Sequence, residues 1–239
     1  MREAQKGPGA LERWQRLKDE GRPISEHILN ILKAGLSAAP FTGAIASLLT
    51  DYIPSSRARR LEEFAEHIAE DLRSFEGRVN TEYIRSDDFA FMFEKCFRGV
   101  AENPQREKVQ AFRGVLVNSV LRSDRSEEEK EYFLNLVNTL SALHIRILRF
   151  MHDPEGYLRA AGIPPASIQG GFDQFFPVAI PGVRLDVIRS AFADLFRYGF
   201  INTDQSIFTT MTSAQGLHLL RGRVSDLGRR FMQFCIVPP

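Results

Sequence analysis

The run Arg184-Leu185-Asp186-Val187-Ile188-Arg189-Ser190-Ala191-Phe192-Ala193-Asp194-Leu195-Phe196-Arg197-Tyr198, closed by Gly199, decides the fold. Its apolar residues recur at helical spacing, and a glycine after the last periodic residue is a helix stop. Phe200-Ile201, a polar loop from Asn202 to Gly216, a short Leu217 to Val224 segment and Ser225-Asp226-Leu227-Gly228-Arg229-Arg230-Phe231 follow. That order predicts the second half of a winged helix: a recognition-type helix, a strand, a β-hairpin wing and a closing helix.

Upstream, Ser141 is the predicted N-cap of a helix over Ala142 to Met151. Between Asp153 and Pro181 lie Pro154, Gly156, Gly162, Pro164, Pro165, Gly170, Gly171, Pro177 and Pro181, too many breakers for one helix. Residues 153–181 therefore read as a modified second helix with a long connection. An ordered interdomain linker is the alternative.

The first 140 residues are helical in pattern. Ser25, Ser56 and Ser86 are predicted N-caps, Asn103-Pro104 reads as a cap with proline at the first helical position, and Ser126 with Glu129 fits a capping box. Apolar stripes agree with these starts. They are Leu61, Phe64, Ala65, Ile68, Leu72 and Phe75; Phe89, Met92, Phe93, Cys96, Phe97 and Val100; Val109, Phe112, Val115, Leu116 and Val120; and Tyr132, Phe133, Leu136, Val137 and Leu140. Most of the 19 phenylalanines fall on such stripes, which points to core packing and not to base stacking. The predicted class is mainly α: a helical arm at 1–23, a helical bundle at 24–140, and a winged-helix-like domain at 141–239 with the insert at 153–181.

Composition narrows function mainly by exclusion. A chain of 239 residues with 44% hydrophobic content supports a sizeable core, and a net charge of +1 creates no global field for nucleic acid or an anionic membrane. Cys96 and Cys235 belong to no CxxC or Cys/His cluster, which disfavours a disulfide scaffold and a zinc site. Cys96 lies on an apolar stripe and reads as an inert buried thiol. Met1 to Leu17 is charged and lacks the apolar segment of a secretory signal, so a cytoplasmic location is expected.

The search for chemistry returns no catalytic, cofactor or metal residue. HExxH, GxSxG, the P-loop and GxGxxG patterns do not occur. Glu63, His67 and Glu70 share one helix face, but one helix supplies too few ligands for a metal. His144 occupies the position where a Glu would close the capping box after Ser141, which suggests a structural role.

If the winged helix read DNA, its contacts would be Arg184, Arg189 and Arg197 on the helix with Arg221 and Arg223 at the wing. Seven arginines face four aspartates between Gly182 and Pro239, a small excess, and Asp186 and Asp194 sit on the same helix. The loop from Thr203 to Gln215 carries no basic residue. A fold reused for protein contacts, with a protein partner or a second copy, is the favoured expectation; a DNA-binding regulator with a helical dimerisation or sensing domain is the alternative. A third reading concerns Ile31 to Leu49, whose only charge is Lys33 and where Gly35, Ala39, Gly43 and Ser47 repeat every four residues. Small residues at this spacing allow close helix approach. With Pro40 in the middle the stretch reads as two short buried helices, the competing reading being a membrane-perturbing hairpin.

Ile53-Pro54-Ser55-Ser56-Arg57, Leu143-His144-Ile145-Arg146-Ile147-Leu148, Leu195-Phe196-Arg197-Tyr198-Gly199-Phe200-Ile201 and Leu227-Gly228-Arg229-Arg230-Phe231 together resemble bacterial proteins of the Abi-alpha, or abortive-infection, type. The resemblance spans residues 40–235, rests on Leu/Gly spacing, and departs at the 153–181 insert. It implies a non-enzymatic bacterial accessory or phage-defence protein and carries over no site residue.

Overall fold

A helix is buried on every side only when its whole circumference is covered by neighbours, and the second half of the helix Arg106–Leu121 is so covered. Ala111, Phe112 and every residue from Gly114 to Val120 are buried. The computed structural model describes residues 55–84, 86–122, 125–209 and 216–237. The arm at 1–23, Ser25 and the Ile31 to Leu49 stretch lie outside them.

In chain order the helices are α1 (Ser55–Ser74), α2 (Thr81–Ile84), α3 (Asp87–Glu102), α4 (Arg106–Leu121), α5 (Glu127–Thr139) and α6 (Ala142–His152). There follow α7 (Pro154–Ala160), α8 (Phe172–Ala179), α9 (Leu185–Arg197), α10 (Gly216–Arg221) and α11 (Asp226–Cys235), with short 3-10 turns at Glu76–Arg78, Pro165–Ser167 and Gln205–Thr209. The protein is mainly helical, and no described helix is long and apolar enough to cross a membrane.

Helix α4 is the hub: α1, α3, α5, α6 and α11 all pack on it. At Gly114 it comes into backbone contact with α11. A Cβ added at Gly114 would lie 2.1 Å from the Cys235 carbonyl oxygen, so the two backbones touch there. One turn on, the Asn118 amide donates to the carbonyls of Gln233, Phe234 and Ile236 at 3.3, 3.0 and 2.8 Å. The Phe234 carbonyl would otherwise be left unpaired in a buried position at the end of α11, which is costly. The other polar residues of α4 are also satisfied. Lys108 Nζ donates to the Asn138 carbonyl at 2.8 Å, and Arg113 forms a two-pronged pair with Asp71 of α1. Buried side chains on both sides of Leu140 belong to one continuous core, so the described parts of 24–140 and 141–239 share an interior.

The helix starts at Ser86, Ser126, Ser141, Asp153 and Ser225 each have a side-chain oxygen accepting a first-turn N–H. Ser126 caps α5, but Glu129 pairs with Arg125 at 3.0 Å instead of closing a capping box. Asn103 closes α3, donating from Nδ2 to the Gly99 carbonyl, and α4 begins after Gln105; Asn103-Pro104 therefore ends one helix and does not cap the next. Tyr132 is exposed, because the buried stripe of α5 runs through Lys130, Phe133, Leu134 and Val137. Lys130 is buried against the Tyr83 ring, 3.8 Å from its centroid, and bonded to Glu127 at 2.7 Å.

The 153–181 insert folds as α7, a 3-10 turn and α8. Its aromatics Phe172, Phe175 and Phe176 join Phe150, Phe192 and Phe208 in one buried cluster. The β-hairpin wing expected after α9 is not found. Among the described residues the only sheet-type pairing is an isolated antiparallel bridge, Ile201 to Val224. Gln205–Thr209 turns as a 3-10 segment, anchored by burial of Ile207 and Phe208, and α10 occupies most of the Leu217 to Val224 stretch. Residues 210–215, the expected wing tip, lie outside the described residues. Leucines and a histidine after Gly216 carry helical and not strand-alternating spacing, which is why the helix wins locally.

The α4–α11 seam predicts two outcomes. Gly114→Ala should cost about 2–3 kcal/mol by overpacking, and Asn118→Ala about 2 kcal/mol by stranding a buried carbonyl. Urea unfolding followed by circular dichroism measures both, and a loss under half of either figure would show that the seam relaxes freely.

Candidate functional site

Helix α9 is the element on which the sequence placed a site, and its surroundings set what it offers. Ile188, Ala191, Phe192 and Leu195 are buried against α6, α8 and the 3-10 segment at Gln205–Thr209. Burying each of the larger side chains stabilises the helix by about 1.5–3 kcal/mol. The helix ends as its sequence predicts. Gly199 has φ +75°, its N–H donates to the Phe196 carbonyl at 2.9 Å and the Phe200 N–H to the Leu195 carbonyl at 3.0 Å. This is the doubled C-terminal closure that a left-handed glycine permits.

Four of the five candidate arginines are already engaged. Arg184 forms a two-pronged pair with Asp186 at 3.1 and 2.9 Å. Arg197 bonds to Asp194. Arg221 bonds to Asp153 at 2.7 Å. The Arg189 guanidinium lies 5.5 Å from the Phe208 ring centroid. Arg223 is exposed, and its backbone carbonyl accepts from Asn202 at 2.9 Å. Arg189 and Arg197 lie on α9 and Arg184 is its N-cap residue, whereas Arg221 is the last residue of α10 and is turned toward Asp153, the N-cap residue of α7.

The carboxylates behave accordingly. The Arg184 hydrogen bonds hold the Asp186 carboxyl below the ordinary range. Partial burial works to raise that of Asp194, and hydrogen bonds from His144 and Arg197 overcome it, so this group too titrates low. Both are anions at neutral pH on the face that would meet a phosphate backbone, and like charge repels at short range.

Apolar exposure on α9 is what the sequence reading missed. Val187, Phe196 and Tyr198 are 47, 42 and 41% exposed. Its signal was available: with Ile188, Ala191, Phe192 and Leu195 assigned to the core, Val187 and Phe196 fall off the buried stripe. Along the outward ridge stand Asp186, Ser190, Ala193 and Arg197.

His144 does take the place of a capping glutamate. The Ser141 N–H donates to Nδ1 at 3.1 Å, the His144 N–H reaches Ser141 Oγ at 3.4 Å, and Nδ1 lies 2.7 Å from that hydroxyl. Nδ1 is therefore the lone-pair nitrogen, and Nε2–H faces Asp194 Oδ2 at 3.2 Å. A Ser, His and Asp stand in series here, but the hydroxyl is committed to the cap of α6. The arrangement ties α6 to α9.

Cys96 and Cys235 are both buried, and burial raises their thiols far above the usual range, so neither is a thiolate nucleophile at neutral pH. Glu63, His67 and Glu70 are exposed on α1, with Glu63 3.6 Å from Arg59. No cluster of His, Cys, Asp and Glu among the described residues has the makings of a metal site. No family model, no curated protein and no solved structure matches the chain.

His152, half-buried at the end of α6, predicts a pH response. Burial lowers its pKa; neighbouring Asp153 opposes this, and Arg221 and Arg229 reinforce it. The folded state thus favours neutral imidazole, while the unfolded chain takes up a proton below about pH 6.5. The stability that neutral His152 supports is complete above that value and declines as pH falls through it. The denaturation midpoint should drop between pH 7.5 and 5.5, and His152→Gln should flatten the drop. An unchanged slope in the variant would remove His152 from the account.

Proposed function

We propose that the chain is a non-enzymatic protein-interaction module whose contact surface is the outward face of α9. One observation carries this reading: three large apolar side chains stand exposed on or beside a helix whose arginines are engaged by its own carboxylates or by Phe208. Exposed apolar side chains gathered on one element favour a protein surface. Desolvating them against DNA phosphates would gain nothing, and Asp186 would stand against the phosphates. Within this proposal α6, α8 and α9, with the Ile201 to Val224 bridge, form a winged-helix-like unit turned to protein contact, with no hairpin wing among the described residues. An accessory role in bacterial phage defence is part of this proposal, resting on the resemblance of the quoted motifs to Abi-alpha proteins, and so is a cytoplasmic location.

DNA binding is the reading to test against. A mobility-shift assay on mixed duplexes at low salt should show no complex up to about 10 µM protein, well above a typical specific affinity. A complex whose affinity falls steeply with salt and is lost in Arg189→Ala or Arg197→Ala would replace the protein-contact reading with a DNA-binding regulator.

A further inference from the structure

The partner's chemistry is written in the symmetry of α9. Count outward from the middle of the helix, between Ala191 and Phe192. Ser190 and Ala193 are equidistant from that point, and so are Asp186 and Arg197. These four residues follow one another at spacings of four, three and four, so they share one ridge, the one facing away from the buried stripe. The ridge is palindromic in size and inverted in charge: acid, small, small, base.

We infer that α9 binds a second copy of itself, antiparallel, across a two-fold axis through the middle of the helix. The inference rests on the protein-contact reading and names its partner. In a two-fold antiparallel crossing each residue of the central ridge meets its mirror position, and each flank meets the same flank of the second copy. Asp186 of one copy then faces Arg197 of the second at both ends of the contact, and Ser190 faces Ala193 in the centre, where small side chains let the helices approach. On one flank Phe196 comes beside Arg189 of the second copy, a cation–ring pairing. On the other flank Val187 lies alongside the second copy's Asp194. A parallel crossing would set Asp186 against Asp186 and Arg197 against Arg197, and like charges facing each other select against it.

The present partners of the ridge do not obstruct this. Arg184 with Asp186 is a solvent-exposed pair, and Arg197 is 76% exposed while Asp194 keeps its bond to His144 when Arg197 turns away; opening or sharing exposed pairs costs little. One helix crossing is a smaller contact than the roughly 1,600 Å² of a standard stable interface, so the dimer is a weak one, with Kd on the order of micromolar or above.

Sedimentation velocity on the full chain, from about 1 µM to about 1 mM, reads the inference directly. Wild type should pass from monomer to dimer across this range, and added salt should weaken the dimer. Asp186→Arg sets Arg against Arg, and Arg197→Asp sets Asp against Asp; each alone should weaken self-association about tenfold or more. An equimolar mixture of the two variants restores opposite charges at both ends and should associate again, as should the double variant with itself. Loss of a purely structural role for either side chain would not be rescued by mixing, and matching far-ultraviolet spectra establish that each variant is folded. A wild-type monomer over the whole range overturns the inference while leaving the protein-contact reading to a different partner. So does dimerisation unaffected by the single variants, or a mixture of folded variants that stays monomeric. Failure of the protein-contact reading itself would appear separately, as salt-dependent duplex binding.

Discussion

The close approach of α4 to α11 is the contact on which the rest of the molecule depends. Helices normally pack eight to ten ångströms apart with side chains between them, but Gly114 brings the backbone of α4 onto the carbonyl of Cys235. At this distance the Phe234 carbonyl near the end of α11 is buried, and the Asn118 amide supplies it with a donor while also reaching the Ile236 carbonyl. The glycine and the asparagine therefore work as a pair: one creates the dry seam and the other satisfies the carbonyl stranded in it. Phe231 and Phe234 then pack on Phe133, locking α5 to the same seam.

From that seam the position of α9 follows through a second backbone contact. A Cβ at Gly228 would lie 2.2 Å from the Phe200 carbonyl oxygen, so the start of α11 sits against the chain leaving α9. Ser225 reinforces the join, its N–H donating to the Phe200 carbonyl and its hydroxyl to that of Gly199. At its other flank α9 is tied to α6 through His144 and Asp194. A helix held at both places cannot rotate without breaking buried contacts, which is what keeps its outward ridge outward. The surface proposed for partner contact is thus set by two glycines that are not part of it, Gly114 and Gly228.

Much of the fold was readable where a local physical rule operates alone. Ser86, Ser126, Ser141 and Ser225 head helices because a short side-chain oxygen there meets an unpaired N–H, and Gly199 ends one because it tolerates positive φ. Rules failed where two competed. Asn103 satisfies the end of α3 as readily as it would start α4, and the geometry of the chain chose the former. Tyr132 stood one residue off a stripe whose true centre is Lys130, a buried cation that no pattern of hydrophobicity marks as core. The wing was expected from the order of elements, a property of families, and not from alternation in residues 217–224, which is absent.

The sequence by itself determined most of the long helices, the caps at Ser86, Ser126 and Ser141, most of the buried faces, and the inverted-charge spacing of α9, because each depends on residues within a few positions of one another. Tertiary structure decided which arginines were occupied, since Arg221 reaches Asp153 and Arg189 reaches Phe208 only after distant segments meet. It also decided that one core spans Leu140. Pairing, burial and close backbone approach are properties of residues brought together in space, and periodicity along one helix carries no information about what lies opposite.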